Sequence, residues 1–63
     1  MPMTARQIVR LLKKHGFAVV RQKGSHLRMY NKVTGTALTI PMHPGELNKR
    51  IEESILRDAG IER

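Results

Sequence analysis

Phe17-Ala18-Val19-Val20-Arg21-Gln22-Lys23-Gly24-Ser25-His26-Leu27-Arg28-Met29-Tyr30 is the stretch that decides the fold. Phe17 to Lys23 reads as a strand, and Gly24-Ser25 as a two-residue hairpin loop with glycine first. Such a loop fixes the register. Lys23 faces His26, Gln22 faces Leu27, Arg21 faces Arg28, Val20 faces Met29 and Val19 faces Tyr30. Side chains alternate between the two sides of a strand. One side of the hairpin then carries Val20, Leu27 and Met29, and the other carries Arg21, Lys23, His26, Arg28 and Tyr30. A shift of one residue would mix these sets, so the clean separation supports the register.

Downstream, Lys32-Val33-Thr34-Gly35 reads as a second loop leading into a strand from Thr36 to Ile40. Pairing Asn31 with Thr36 sets Met29 opposite Leu38 and Leu27 opposite Ile40, on the side already assigned as apolar. Pro41 and Pro44 end the sheet. Upstream, Thr4-Ala5-Arg6-Gln7 has the capping-box pattern. Ile8, Leu11 and Leu12 follow at helical spacing with Val9 widening the stripe, and Gly16 stops the helix after His15. A helix over Ala5 to His15 is therefore predicted, with Phe17 in the core. Glu46 to Ala59 predicts the second helix, with Leu47, Ile51, Ile55 and Leu56 as its buried stripe and Gly60 as its stop. The order is α-β-β-β-α. The expected fold is α+β: a three-stranded antiparallel sheet with two helices on one face, the layout of a double-stranded-RNA-binding domain. The other face, the basic one, is expected to stay open to solvent.

At 63 residues the chain is expected to form a single domain over 1–63. It has no cysteine, hence no disulfide framework or thiolate metal site. Apolar runs reach about four residues, against ~20 for a bilayer span, and Met1 to Thr4 contains no apolar run like that of a signal peptide. A cytoplasmic protein is expected, without a membrane partner. The formal net charge is +7. Residues 1–45 hold eight Lys or Arg and no Asp or Glu, whereas residues 46–63 hold four basic and five acidic residues. A field of one sign along two thirds of the chain points to a polyanionic partner, nucleic acid above all. Two helices separated by three strands do not form a helix-turn-helix, which argues against a DNA reader of that kind.

No glycine-rich phosphate loop, paired carboxylate or close metal-ligand cluster is present, and nothing calls for a cofactor. Three histidines remain as candidates. His26 falls on the basic face, at the end of the tight turn, beside Lys23 and with Arg21 and Arg28 one step along. Imidazole titrates near neutrality and suits proton transfer in RNA cleavage, while nearby cations would bind the scissile phosphate and offset its developing charge. The alternative is a polar residue on a solvated strand. His15 reads as a cap of the first helix, and His43 as a structural loop residue or a minor RNA contact. Ser25 serves the turn, with a hydroxyl that could reach a phosphate. Tyr30 is one exposed aromatic, too little for a stacking platform, so RNA contact is expected through phosphate and shape.

Taken together, several segments resemble the HicA toxin family. They are Ile8, Leu11, Leu12, Lys14, Gly16 and Phe17; the run Lys23-Gly24-Ser25-His26; the segment Ile40-Pro41-Met42-His43-Pro44; and the ending Ile55-Leu56-Arg57-Asp58-Ala59-Gly60-Ile61. The resemblance covers nearly the whole chain in the family's order. It implies a messenger-RNA-cleaving toxin with a double-stranded-RNA-binding-like fold, neutralised by a HicB-type antitoxin protein. It implies His26 as the catalytic residue, and Arg21, Lys23, Ser25, Arg28 and Tyr30 are expected to contact RNA. With carboxylates absent before Glu46, cleavage is expected to be metal-independent, using the substrate's own 2′-hydroxyl as nucleophile. No second histidine is predicted within reach, so the leaving oxygen would take its proton from Lys23 or water. The competing reading is a non-catalytic double-stranded-RNA-binding module, for which Lys49 and Arg50 make a partial basic cluster on the second helix.

Overall fold

The computed structural model describes residues 3–61; Met1, Pro2, Glu62 and Arg63 lie outside them, and so does part of the Met1 to Thr4 segment in which no signal-peptide-like run is expected. The elements are α1 (Ala5–Lys14), β1 (Ala18–Lys23), β2 (His26–Asn31), β3 (Thr36–Pro41) and α2 (Lys49–Ala59). The strands form one antiparallel sheet in the order β1-β2-β3. This is the expected α-β-β-β-α arrangement. Among the described residues no helix is long and apolar enough to cross a membrane.

The capping box forms as the sequence predicts. The Thr4 side-chain oxygen accepts from the Gln7 backbone N–H at 3.2 Å, and the Thr4 N–H donates to Gln7 Oε1 at 2.8 Å. Two donors that the first turn of α1 cannot satisfy internally are thereby paired. At the other end Nδ1 of His15, the C-cap residue, stands 3.0 Å from the Leu11 carbonyl. Ile8 and Leu12 of α1 meet Met29 and Ile40 of the sheet in the fully buried centre of the core. Each such burial is worth about 1.5–3 kcal/mol.

Asn31 at the end of β2 is 4 % exposed and joins three parts of the fold. Its Nδ2 donates to the His15 carbonyl at 3.0 Å. Its Oδ1 accepts from the N–H groups of Val33 at 2.9 Å and Thr34 at 3.3 Å, closing the turn into β3. Gly16 lies against it with φ 94°, and a Cβ there would come within 3.2 Å of Asn31 Nδ2. Gly16→Ala is therefore expected to destabilise by about 1 kcal/mol or more through the left-handed backbone alone. Thermal melting should register this as a fall of roughly 5 °C; an unchanged melting temperature would contradict the account.

The β2–β3 register is the predicted one: Asn31 faces Thr36, Met29 faces Leu38 and Leu27 faces Ile40. The β1–β2 register is the predicted one only near the turn. Lys23–His26, Gln22–Leu27 and Arg21–Arg28 pair as expected, but a bulge follows, and Met29 faces Val19 while Tyr30 faces Ala18. Val20 is left without a partner and is 59 % exposed, so it does not join the apolar face. The physical reason is twofold. A bulge inserts one residue into one strand and leaves the alternation on either side intact. β1 is also an edge strand exposed at all six positions, so burial does not hold Val20 in register.

The second helix starts later than predicted, at Lys49 in place of Glu46. Asn48 is the N-cap, its Oδ1 accepting from the Arg50 N–H at 2.8 Å. Glu46 instead bridges Thr4, and the Leu47 N–H donates to the Met3 carbonyl at 2.9 Å. Leu47 is buried from this extended segment. The helix then presents Glu52, Ile55 and Leu56 inward, while Ile51 is 42 % exposed. Glu52 takes the inward position because its Oε1 accepts the Met3 N–H at 2.5 Å, and a buried carboxylate needs such partners.

Candidate nucleic-acid interface

β2 alternates without exception: Leu27, Met29 and Asn31 are buried, and His26, Arg28 and Tyr30 are exposed. The exposed set defines the open face of the sheet. His26 gets its place from the turn before it. Gly24 has φ 59° and Ser25, like every described non-glycine residue, has negative φ. That is the signature of a type II′ turn, whose twist matches the hairpin's strands. The turn fixes His26 opposite Lys23, and two residues on Arg28 stands opposite Arg21.

These four side chains, with Thr39 from β3, line one shallow, open depression of about 490 Å³. Arg28 Nη1 donates to the Thr39 hydroxyl at 3.3 Å, across the pair that β2 and β3 make at that level. Arg21, Lys23, His26 and Arg28 are thus brought together as the sequence leads one to expect. Ser25 and Tyr30 are not in the lining. Ser25 sits in the turn before His26, its carbonyl accepting from the Met42 N–H at 2.6 Å. Tyr30 lies two residues beyond Arg28 on the same face and is 41 % exposed. Thr39 was not singled out from the sequence, although the β2–β3 register already sets it opposite Arg28.

The electrostatics of the face are unbalanced by construction. Like charges directly opposite on neighbouring strands destabilise a sheet, yet Arg21 faces Arg28 and Lys23 faces a histidine. Among the described residues none of these cations is paired with a carboxylate; the ion pair given by the structure, Arg57–Asp58 at 4.0 Å, is exposed on α2. An anion set between the strands would relieve the repulsion, and a phosphate fits both the charge and the donor-rich lining. The lining holds no carboxylate, and no group of His, Cys, Asp and Glu among the described residues is arranged to hold a metal ion.

A family model described as the HicA toxin of bacterial toxin–antitoxin matches residues 5–61, from the first residue of α1 to the last described residue. The chain belongs to the HicA toxin family. HicA toxins are in general ribonucleases acting on messenger RNA, and membership gives this chain that role in outline. It also implies RNA and a HicB-type antitoxin as partners. Comparison with curated proteins returns no match. In this HicA chain the match spans every element that shapes the open face: the β1–β2 hairpin, β3 and the loop behind it.

Proposed function

We propose that this HicA protein is a metal-independent endoribonuclease toxin whose catalytic base is His26, on a phosphate-binding face formed by Arg21, Lys23 and Arg28. The observation that carries the reading is the pair of basic cross-strand couples around one imidazole, an arrangement that costs stability unless a polyanion lies on it. The lining supplies cations, one hydroxyl and one imidazole. Those groups match a displacement in which the RNA provides its own nucleophile. His26 takes the proton of the 2′-hydroxyl as that oxygen attacks the adjacent phosphorus. The guanidinium groups and Lys23 hold the phosphate and stabilise the charge that builds on its oxygens. Ser25 and Tyr30 flank this centre, where they would touch the RNA backbone on either side of the cleaved bond.

The test is to incubate purified protein with RNA, with and without a chelator, and to identify the product ends. The expected result is chelator-resistant cleavage that leaves a 2′,3′-cyclic phosphate and a 5′-hydroxyl. Loss of activity on chelation, or a 5′-phosphate product, would overturn the mechanism. A protein that binds RNA but never cuts it would favour a silent binding module.

If Arg21, Lys23 and Arg28 each neutralise a phosphate, RNA affinity should fall steeply with salt. Removing any one of them should lower the slope of log affinity against log salt by about one unit or less. A slope that stays the same in all three alanine variants would place the RNA elsewhere. The same face is the part of the molecule that a HicB-type antitoxin would neutralise with acidic side chains, covering His26; complementary charge would also speed the encounter. A complex that leaves Arg21, Lys23 and His26 open to solvent would refute that mode of inhibition.

A further inference from the structure

The β2–β3 ladder does not stop where β3 ends. His26 faces Pro41, and the Met42 N–H donates to the Ser25 carbonyl at 2.6 Å. That bond continues the ladder one pair beyond the strand. Met42 then packs against the core, as alternation requires after Pro41. The next residue is His43, and it is exposed. The residue after it is Pro44, and a residue preceding proline is held in the extended region by the proline ring. Extended backbone would continue the alternation and set His43 on the open-face side, diagonal to His26 and just outside the lining of the depression. Diagonal neighbours on adjacent strands have Cα atoms roughly 7–8 Å apart, within reach of long side chains. The space at Gly24 is clear: a Cβ there would meet nothing within 4 Å.

We infer that His43 is a second catalytic residue, the general acid of the cleavage, and this rests on the reading of His26 as its base. In an in-line displacement the attacking and departing oxygens lie on opposite sides of phosphorus, so acid and base must bracket the phosphate. Imidazole populates both protonation states near neutral pH, so one histidine can take a proton while another gives one. In the step, the bond from the 2′-oxygen to phosphorus forms and the bond from phosphorus to the 5′-oxygen breaks. The 2′-hydroxyl proton goes to a ring nitrogen of His26, and a proton from the His43 imidazolium goes to the departing 5′-oxygen. The products are a 2′,3′-cyclic phosphate and a 5′-hydroxyl, and exchange with water resets both rings. From sequence alone His43 reads as a structural loop residue or a minor RNA contact, because the Met42–Ser25 bond just before it has no signature there.

The experiment compares two RNAs, one ordinary and one with sulfur replacing the 5′-oxygen at the cleaved bond. A departing thiolate needs no proton. His43→Ala should cut ordinary RNA about 10²-fold more slowly than the unmodified protein, yet cut the sulfur substrate within about threefold of it. His26→Ala should be impaired on both. Two results would overturn the assignment: unchanged cutting of ordinary RNA by His43→Ala, or an equal loss on both substrates, which would indicate binding or structure. Should the alanine variant fail to fold, His43→Asn carries the same comparison. If the unmodified protein cleaves neither substrate, it is the ribonuclease reading that fails.

Discussion

His26→Ala is expected to lower the rate of RNA cleavage by about 10²–10⁴-fold, the range typical for loss of a positioned general base. RNA affinity should stay within about threefold of the unmodified protein if, as proposed, Arg21, Lys23 and Arg28 carry the phosphate contacts. The two readouts separate chemistry from binding. The side chain is exposed at the end of a turn that Gly24 and Ser25 define, so the substitution leaves the fold alone. A substrate with a single 2′-deoxy nucleotide at the cleaved position should resist cutting altogether, since it lacks the oxygen that attacks in the proposed mechanism. Growth inhibition on expression should vanish with His26. Undiminished cutting by His26→Ala would remove this residue from the mechanism; a parallel collapse of affinity would make it a binding residue.

Asn31→Ala is expected to be the most damaging polar substitution. It removes three hydrogen bonds, to the His15 carbonyl and to the Val33 and Thr34 N–H groups, at a site 4 % exposed. Each neutral hydrogen bond contributes about 0.5–1.5 kcal/mol net, and orphaned buried groups cost more, so the expected loss is about 2–4 kcal/mol. A chain of this size has a total stability of only about 3–9 kcal/mol. Thermal or denaturant unfolding should therefore show a melting temperature lower by at least roughly 10 °C. A shift of only a degree or two would mean that water replaces the side chain at no cost.

The register across β2 and β3 was legible because both loops act on the same alternation: Met29 opposite Leu38 and Leu27 opposite Ile40 put four apolar side chains on one side. The same arithmetic located Arg21, Lys23, His26 and Arg28 together, since the Gly24-Ser25 turn counts outward from His26 without interruption as far as Arg28. It failed at Val20, where the bulge adds a residue that no pattern announces. It failed again at the second helix. Leu47 stands at helical spacing from Ile51 and Ile55, but the backbone of Glu46 and Leu47 pairs with Met3 and Thr4 at the far end of the chain. Glu52 is buried for the same reason, by a bond spanning 49 residues. Asn31 has the look of an ordinary turn residue; its reach to His15 exists only once α1 lies against the sheet. Non-local pairings of this kind are what a linear reading lacks.

Three strands leave two edges bare, and bare edges are templates on which copies of a protein can stack into fibrils or amorphous aggregates. Both edges here are spoiled. Pro41 at the end of β3 offers no N–H to an incoming strand. On β1 the bulge at Val20 bends and over-twists the strand, and Arg21 and Lys23 stand just beyond it. A chain lacking Val20 would pair Ala18 to Lys23 without a break, giving a flatter edge with an exposed valine still on it. The bulge at Val20, which neither the core nor the open face accounts for, thus has a colloidal consequence: a bent, over-twisted edge works against edge-to-edge docking between copies of a sheet with one face uncovered.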